Sequence, residues 1–237
     1  LLKSKLPVVE SDGPGRSRRV ALLGNMNNNL FTLMRYLRDA GVDAHLLVFS
    51  SDNFLPEADS SSDKEFVDLM RFRIRDVLIP FHIRLRRQLG RYDALIGCGA
   101  SPALCSQIGR RLEVFTPYGS DLHDLSIMRS RNPVSRLLEW RVAILQRRGI
   151  RASRFVHMMG VNEIYEESLH QTGFRGERWN EVLPLVYGPD YTPDVLLKDG
   201  AGQFAEIRRE CSFMAFAHGR HEWASSTDLN AKGNERL

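Results

Sequence analysis

Short runs of consecutive apolar residues alternate along the chain with longer segments in which apolar residues recur at helical spacing. The first apolar run extends from Arg19 to Gly24 and is typical of a strand buried on both faces. The next segment, residues 30–41, has a helical repeat and ends at Gly41, a common helix terminator. Another apolar run follows at residues 44–49. A strand, a helix and a strand in close succession predict a βαβ unit.

The alternation of apolar runs and helical repeats continues through most of the chain. Residues 66–89 are predicted to be mainly helical, with an interruption near Pro80. Further strands are predicted at residues 92–97, 114–116, 155–159 and 182–185, and further helices at residues 101–110, 133–149 and 161–172. Strands that alternate with helices indicate an α/β fold with a doubly wound, parallel, Rossmann-like sheet.

Changes in composition divide the chain into four predicted parts. Residues 1–18 are polar and rich in glycine and proline, which predicts a flexible lead-in. Residues 19–187 form the α/β domain, and residues 188–210 form an interdomain segment. Residues 211–237 begin a second Rossmann-like domain that the sequence does not complete. Because there is also no initiating methionine, we interpret the sequence as a fragment.

The overall composition is that of an ordinary globular protein, with 43% hydrophobic and 26% charged residues among 237. No apolar run reaches the length of about eighteen residues that a membrane span needs. Three cysteines, Cys98, Cys105 and Cys211, are scattered, which argues against a disulfide framework and against a thiolate metal site. We therefore predict a cytoplasmic protein, with peripheral contact to the inner face of the membrane as a further option.

A basic and apolar segment lies between residues 71 and 91, and Asp76 is its one acidic residue. Its arginines are Arg71, Arg73, Arg75, Arg84, Arg86, Arg87 and Arg91. Such a segment can lie on an anionic membrane surface, or it can be a core helix with a solvated arginine face. Both interpretations stay open. Nucleic acid is not an expected partner, because no aromatic residues alternate with these charges in a stacking pattern.

An asparagine-rich loop follows the first predicted strand, and ligands of parallel sheets bind at such positions. Glycine permits close backbone approach, asparagine side chains donate and accept hydrogen bonds, and the next helix offers amides at its N-terminus. Gly24, Asn25, Asn27 and Asn28 are therefore candidate ligand-binding residues, with a capped turn as the alternative. The loop is not a GxGxxG fingerprint, which argues against a dinucleotide site.

A second candidate loop directly follows the strand predicted at residues 114–116. It contains Tyr118, Gly119, Ser120 and Asp121, and would expose backbone amides, a hydroxyl and a carboxylate to a ligand. The Asp121 carboxylate could accept hydrogen bonds from substrate hydroxyls. A helix cap formed by the serine and the aspartate is an equally good interpretation.

The third candidate region lies near the end of the sequence, after the first strand predicted for the second domain. Arg220 and Lys232 are suited to a diphosphate, because arginine pairs bidentately and lysine acts as a point charge. Two solvated surface charges are the alternative. The accompanying site residues are Gly219, Gly233 and Asn234. His218 and His221 lack partner carboxylates, so we expect no metal site.

The order of these loops resembles the GT-B glycosyltransferases of the family-4 (group 1) type. The resemblance is carried by the glycine loop at residues 24–29, the Gly-Ser-Asp loop at 119–121, Gly219-Arg220 and Lys232-Gly233. It implies two facing Rossmann-like domains, with the active site in the cleft between them. It also implies transfer with retention of configuration, without a metal and without a cofactor other than the nucleotide-sugar as co-substrate.

The same resemblance implies roles for individual residues. Arg220 and Lys232 would hold the donor diphosphate and stabilise the leaving group, and Asp121 would line the acceptor side. The partners would be a nucleotide-sugar donor and a glycan or lipid-linked sugar acceptor. Tyr118 stands where many relatives have histidine. The family's glutamate pair would lie after Leu237, so the fragment is expected to be inactive alone.

Two other classes of protein remain open at this point. One is an NAD(P)-dependent oxidoreductase on a Rossmann fold, and the other is a non-catalytic module that binds sugars or membranes. Binding of NADH without binding of nucleoside diphosphates would favour the first. Liposome binding without turnover of a nucleotide sugar would favour the second.

Overall fold

The structure is a computed structural model. It describes residues 18–49, 62–70, 76, 79, 82–126, 133–158, 163–180, 183 and 187–191. The chain divides into two compact units, Leu1–Tyr187 and Gly188–Leu237. The described part of the second unit is one short 3-10 helix, Gly188–Tyr191. This helix lies in the predicted interdomain segment, and the predicted second Rossmann-like domain, residues 211–237, lies outside the described residues. All elements below belong to the first unit.

Seven parallel strands form one sheet in the order β3-β2-β1-β4-β5-β6-β7. The strands are β1 (Arg19–Leu23), β2 (Asp43–Phe49), β3 (Val67–Met70), β4 (Ala94–Gly97), β5 (Val114–Phe115), β6 (Phe155–His157) and β7 (Glu177–Trp179). At the centre, Leu22 of β1 lies between Leu46 of β2 and Ile96 of β4. The predicted α/β fold with a parallel, Rossmann-like sheet is confirmed.

Helices follow the strands and cover the sheet. They are α1 (Asn29–Asp39), α2 (Ile83–Leu89), α3 (Ser101–Gln107), α4 (Ser120–His123), α5 (Pro133–Ala152) and α6 (Glu163–Thr172). Side chains of successive strand residues point to opposite faces, so Val20 and Leu22 join one buried cluster, whereas Ala21 and Leu23 join another. The first cluster contains the apolar face of α1, and the second contains buried residues of α2, α3, α5 and α6. Helices therefore flank both faces of the sheet.

The structure differs from the prediction at two strands, β3 and β7. Residues 67–70, predicted as helix, form β3, because Val67 to Met70 pair in register with Leu46 to Phe49 of β2. The sheet also gains β7, where no strand was predicted. The strand predicted at residues 182–185 lies mostly outside the described residues, and Leu183 is not part of a strand. Local sequence misjudged β3 and β7 because both are short and lie at the edges of the sheet.

Two glycines allow the helices to approach closely behind the carboxyl ends of β4 and β5. A Cβ on Gly97 would lie 2.2 Å from Ser101 Oγ, at the start of α3. A Cβ on Gly149 of α5 would lie 2.0 Å from the carbonyl oxygen of Pro102. Both distances are far below van der Waals contact. Helices α3 and α5 therefore touch through backbone, which fixes the loop that joins β4 to α3.

Candidate functional site

The loops that follow β1, β4 and β5 meet at the carboxyl edge of the sheet. The strand order reverses between β1 and β4, which is where open α/β sheets bind ligands. The first two predicted loops, residues 24–29 and 118–121, lie on either side of the residues after β4. Tyr118 packs against the buried cluster that contains Cys98, and Asn29 lies near its hydroxyl. The structure therefore brings these two loops together.

Gly24 ends β1 with a φ of 82°, a left-handed value that favours glycine. Its amide donates to the Leu47 carbonyl at 2.9 Å, so the turn is tied to the neighbouring strand. A Cβ at this position would lie 2.9 Å from Cys98 Sγ and 3.1 Å from a ring carbon of Phe49. Packing between strand ends is thus enough to require glycine here, whether or not a ligand binds.

The asparagine-rich turn uses much of its hydrogen-bonding capacity internally. Asn25 is 1% exposed, and its Oδ1 accepts a hydrogen bond from the Phe31 amide at 3.1 Å. Its Nδ2 donates to Asn28 Oδ1 at 3.0 Å. Asn28 itself has a left-handed φ of 61°. Asn25 therefore caps the first turn of α1, as the alternative interpretation predicted. Among the described side chains of this turn, Met26 is the exposed one.

Asp121 is 2% exposed and ties the loops after β4 and β5 together. One carboxylate oxygen accepts hydrogen bonds from the amides of Tyr118 and Gly119, at 2.8 and 3.0 Å. The other accepts one from the Gly99 amide at 2.9 Å. Burial raises the pKa of Asp121 to about 6, although these backbone hydrogen bonds oppose the shift. The predicted substrate-facing carboxylate is thus a buried link between loops.

Gln146 of α5 also connects the loops after β4 and β5. Its side chain is fully buried, and Oε1 accepts a hydrogen bond from the Ala103 amide at 3.1 Å. Its Nε2 donates to the carbonyl oxygens of Gly99 and Asp121, at 3.0 and 2.8 Å. Sequence reasoning missed this residue. A polar side chain between Val142 and Gly149, on the apolar face of a helix, was the available signal.

The remaining residues of the second loop lie at the surface or against the core. Gly119 begins α4 with a φ of 127°, and Ser120 beside it is exposed. Tyr118 is half-buried. Burial raises the pKa of its hydroxyl, and the Asn29 and Thr116 side chains oppose that shift. Ser120 is therefore the accessible polar side chain of this loop.

A histidine and a tyrosine adjoin this loop, and sequence reasoning did not single them out. The rings of His123 in α4 and Tyr165 in α6 lie 4.9 Å apart, edge to face. The Ser168 hydroxyl donates to the Ile164 carbonyl at 2.7 Å, so its oxygen accepts from Nδ1–H of His123. That leaves Nε2 as the accepting nitrogen of the imidazole. Burial, and then the charge of Asp121, raise the pKa of Tyr165.

The predicted site residues of the second domain lie outside the described part of the chain. Gly219, Arg220, Lys232, Gly233 and Asn234 lie outside the described residues, as does the side chain of Asn27. Within the described ranges, no group of three or more histidine, cysteine, aspartate or glutamate residues could hold a metal ion. No helix of the described part is long and apolar enough to cross a membrane.

No family model matches the chain, and no curated protein matches it. Similar solved structures include a protein described as an epimerase from Burkholderia cenocepacia, with 12% identity and a TM-score of 0.33, over 60% of this chain and 54% of the other. A leucoanthocyanidin reductase from Vitis vinifera with NADPH has 12% identity and a TM-score of 0.29, over 66% and 47%. A short-chain dehydrogenase/reductase from Veillonella parvula with NADP has 11% identity and a TM-score of 0.31, over 62% and 72%.

These comparisons correct the family that the sequence predicted. The chain spans about half the length of the first two solved structures, and the low identities assign no residue roles. An epimerase, a reductase and a dehydrogenase are not glycosyltransferases, so the predicted membership of the GT-B family-4 group is wrong.

The predicted cofactor and partners are corrected with the family. The sequence predicted a nucleotide-sugar co-substrate and no cofactor. Two of the solved structures hold NADPH or NADP, which contradicts this prediction. The same comparisons contradict the predicted partners, a nucleotide-sugar donor with a glycan or lipid-linked sugar acceptor. The coarser prediction of an enzyme agrees with the names of all three.

Proposed function

We propose that the first unit binds a nicotinamide dinucleotide between the loops after β1 and β4, as part of an oxidoreductase. The strand order carries this proposal. The chain runs from β1 towards β3 at one edge and from β4 towards β7 at the other, so a crevice opens between the two central loops. In sheets with this reversal, dinucleotides bind across that crevice.

The residues at the crevice fit a dinucleotide in two respects and depart in one. Gly24 makes the tight turn after β1. Gly99 has a φ of 59°, and a Cβ there would meet nothing within 4 Å, so a ligand can approach this backbone closely. Met26 and Asn29, however, occupy the second and third glycine positions of the GxGxxG spacing. We therefore expect the pyrophosphate to bind nearer to Gly99 than to α1.

The chain's own residues would handle the proton that accompanies hydride transfer. A bound nicotinamide supplies or accepts the hydride. A proton donor or acceptor must then lie near the substrate, and histidine is the side chain best suited near neutral pH. His123 has its Nδ1–H held by Ser168, which directs Nε2 to accept a proton. We assign the proton transfer to His123, with Tyr165 packed against its ring.

Dinucleotide binding is tested by titrating the protein with NADH and with NADPH and measuring the heat of binding by calorimetry. Met26 is 39% exposed, so it can be changed without disturbing the core. We expect Met26→Gly to tighten binding and Met26→Trp to weaken it about tenfold, because a larger side chain narrows the crevice. Leu137→Trp, at a residue of α5 that is 60% exposed, is the matched control and should bind like the wild type. Absence of saturable binding of either nucleotide by the wild type would overturn the proposal.

A further inference from the structure

A groove at the β3 edge of the sheet has a composition different from that of the crevice. Its volume is about 750 Å³, which is within the usual range of small-molecule sites. The groove runs between the terminal strand β3 and helix α2. The described residues that matter for its chemistry are Leu69, His82, Ile83, Arg84, Arg87 and Arg91. No acidic residue is among the described residues that line it.

The positive charge of this groove is concentrated on one side of α2. Arg84, Arg87 and Arg91 are spaced by three and four positions, which places them on the same helical face and its continuation. All three side chains are exposed. Like charges at this spacing repel one another, so the arrangement is unfavourable unless an anion compensates it.

Many arginines elsewhere in the described part of the first unit are engaged by carboxylates. Six of them form salt bridges with carboxylates: Arg19, Arg35, Arg38, Arg111, Arg154 and Arg178. The guanidinium groups of Arg84, Arg87 and Arg91 form no hydrogen bond or ion pair within the part of the chain that the structure describes. Their donors thus remain available to a ligand. An arginine fork binds phosphate oxygens bidentately.

The same groove also exposes apolar surface. Ile83 is 63% exposed and Leu69 is 58% exposed, although both are large hydrophobic residues. They line the concave surface together with the arginines. A ligand that fits should therefore offer negative charge to the arginines and an apolar portion to Ile83 and Leu69. A concave site of this size suits a discrete small molecule better than the flat surface of a bilayer.

We propose that the groove between β3 and α2 binds a soluble phosphate ester with an apolar portion. Its phosphate pairs with Arg84, Arg87 and Arg91, and its apolar portion lies against Ile83 and Leu69. This inference rests on charge complementarity at the edge of the sheet. It does not depend on the binding of a dinucleotide at the crevice.

Naphthyl phosphate is a suitable probe, because it joins a dianionic group to an apolar ring and is fluorescent. We expect saturable binding that is tighter than the binding of naphthol or of inorganic phosphate alone. The triple variant Arg84→Gln, Arg87→Gln, Arg91→Gln should weaken it at least about tenfold. Ile83→Ser should weaken naphthyl phosphate and leave inorganic phosphate unchanged. The free protein's unfolding curve checks that each variant is folded.

The matched control removes three other exposed arginines, Arg136, Arg148 and Arg151 of α5, in the same way. It changes the net charge equally and should keep the affinity of the wild type. Equal weakening in both triple variants would mean that only overall charge matters, and would overturn the proposal. So would absence of saturable binding, or binding only to phosphatidylserine vesicles. Met26→Trp should not affect naphthyl phosphate, so failure at this groove and failure at the crevice are distinguishable.

Discussion

The centre of the carboxyl edge and the β3–α2 edge of the same sheet use polar residues in opposite ways. At the centre, the Asp121 carboxylate accepts three backbone amides and is almost completely buried. Gln146 is likewise buried and fully engaged with two loops. At the edge, Arg84 and Arg87 are exposed and form no salt bridge within the described residues. The difference lies in burial.

A buried polar group must find a partner inside the protein, because its desolvation is otherwise uncompensated. The polar side chains at the centre therefore use their hydrogen-bonding groups within the protein. A ligand there can interact with backbone groups and with the shape of the crevice. An exposed cation is solvated by water and has no such requirement, so it remains available to bind an anionic ligand from solution. Residue type alone therefore does not identify a ligand-binding residue. Mutations at the centre should therefore change stability much more than mutations at the edge.

The largest effect is expected for Gln146→Leu. Leucine keeps the apolar volume but leaves the Ala103 amide and two carbonyl oxygens, of Gly99 and Asp121, without their partner. We expect a loss of about 4 kcal/mol in the free energy of unfolding, measured by urea denaturation. Gln171→Leu, at an exposed position of α6, is the matched control and should change stability little. Similar values for both variants would contradict the assigned role of Gln146.

The second largest loss of stability is expected for Gly149→Ala, at the position where α5 crosses α3. Alanine is the better helix former, but its Cβ would lie 2.0 Å from the Pro102 carbonyl oxygen. The helices must therefore separate, and we expect a loss of about 3 kcal/mol in the free energy of unfolding. Arg148→Ala, next to it and exposed, tests the helix propensity alone. A Gly149→Ala protein as stable as that control would show that the crossing is not tight.

The fold was predictable from local patterns where burial is complete. β1 is apolar at successive positions, and α1 has a clear helical repeat, so both were found with nearly correct bounds. β3 was not predicted, because Asp68 and Leu69 are exposed at the edge of the sheet and the segment lacks the apolar pattern of a buried strand. Residues 66–89 were therefore predicted to be mainly helical with an interruption near Pro80, although the described residues of this segment include β3 and the shorter α2.

The two candidate loops were predictable in position, but the hydrogen-bond partners of their side chains were not. Asn25 and Asp121 were found because polar residues at strand ends attract notice. Their partners could not be foreseen: Asp121 meets the Gly99 amide, and Gln146 bridges from α5 to loops more than twenty residues away in sequence. Such contacts arise from the order of the strands, which local spacing does not encode. The family resemblance rested on these two loops together with Gly219-Arg220 and Lys232-Gly233, and the comparisons contradict it.

A smaller, pH-dependent effect is expected for Asp121→Asn. The pKa of Asp121 is raised from 3.8 to about 6 in the fold, so between these values the folded chain binds more protons than the unfolded chain. The contribution of this group to stability therefore falls as pH rises through this range. Asparagine does not titrate, so the stability of the wild type relative to the variant should fall by about 2 kcal/mol from pH 4.5 to 6.5. Urea denaturation at several pH values measures this difference, and a rise instead would mean that the three amide hydrogen bonds outweigh burial.

The smallest effect is expected at the edge, for Arg87→Gln. Removing this charge relieves repulsion from Arg84 and Arg91, so stability at low salt should rise by at most about 0.5 kcal/mol. Arg178→Gln is the matched comparison, because Arg178 is also partly exposed but forms a salt bridge with Glu166. It should lower stability by a similarly small amount, since an exposed ion pair contributes little. Both effects should vanish at about 0.5 M salt, where charges are screened over a few ångströms. A large loss in Arg87→Gln would show that this guanidinium is engaged by the fold, as Asp121 and Gln146 are, and the contrast between centre and edge would fail.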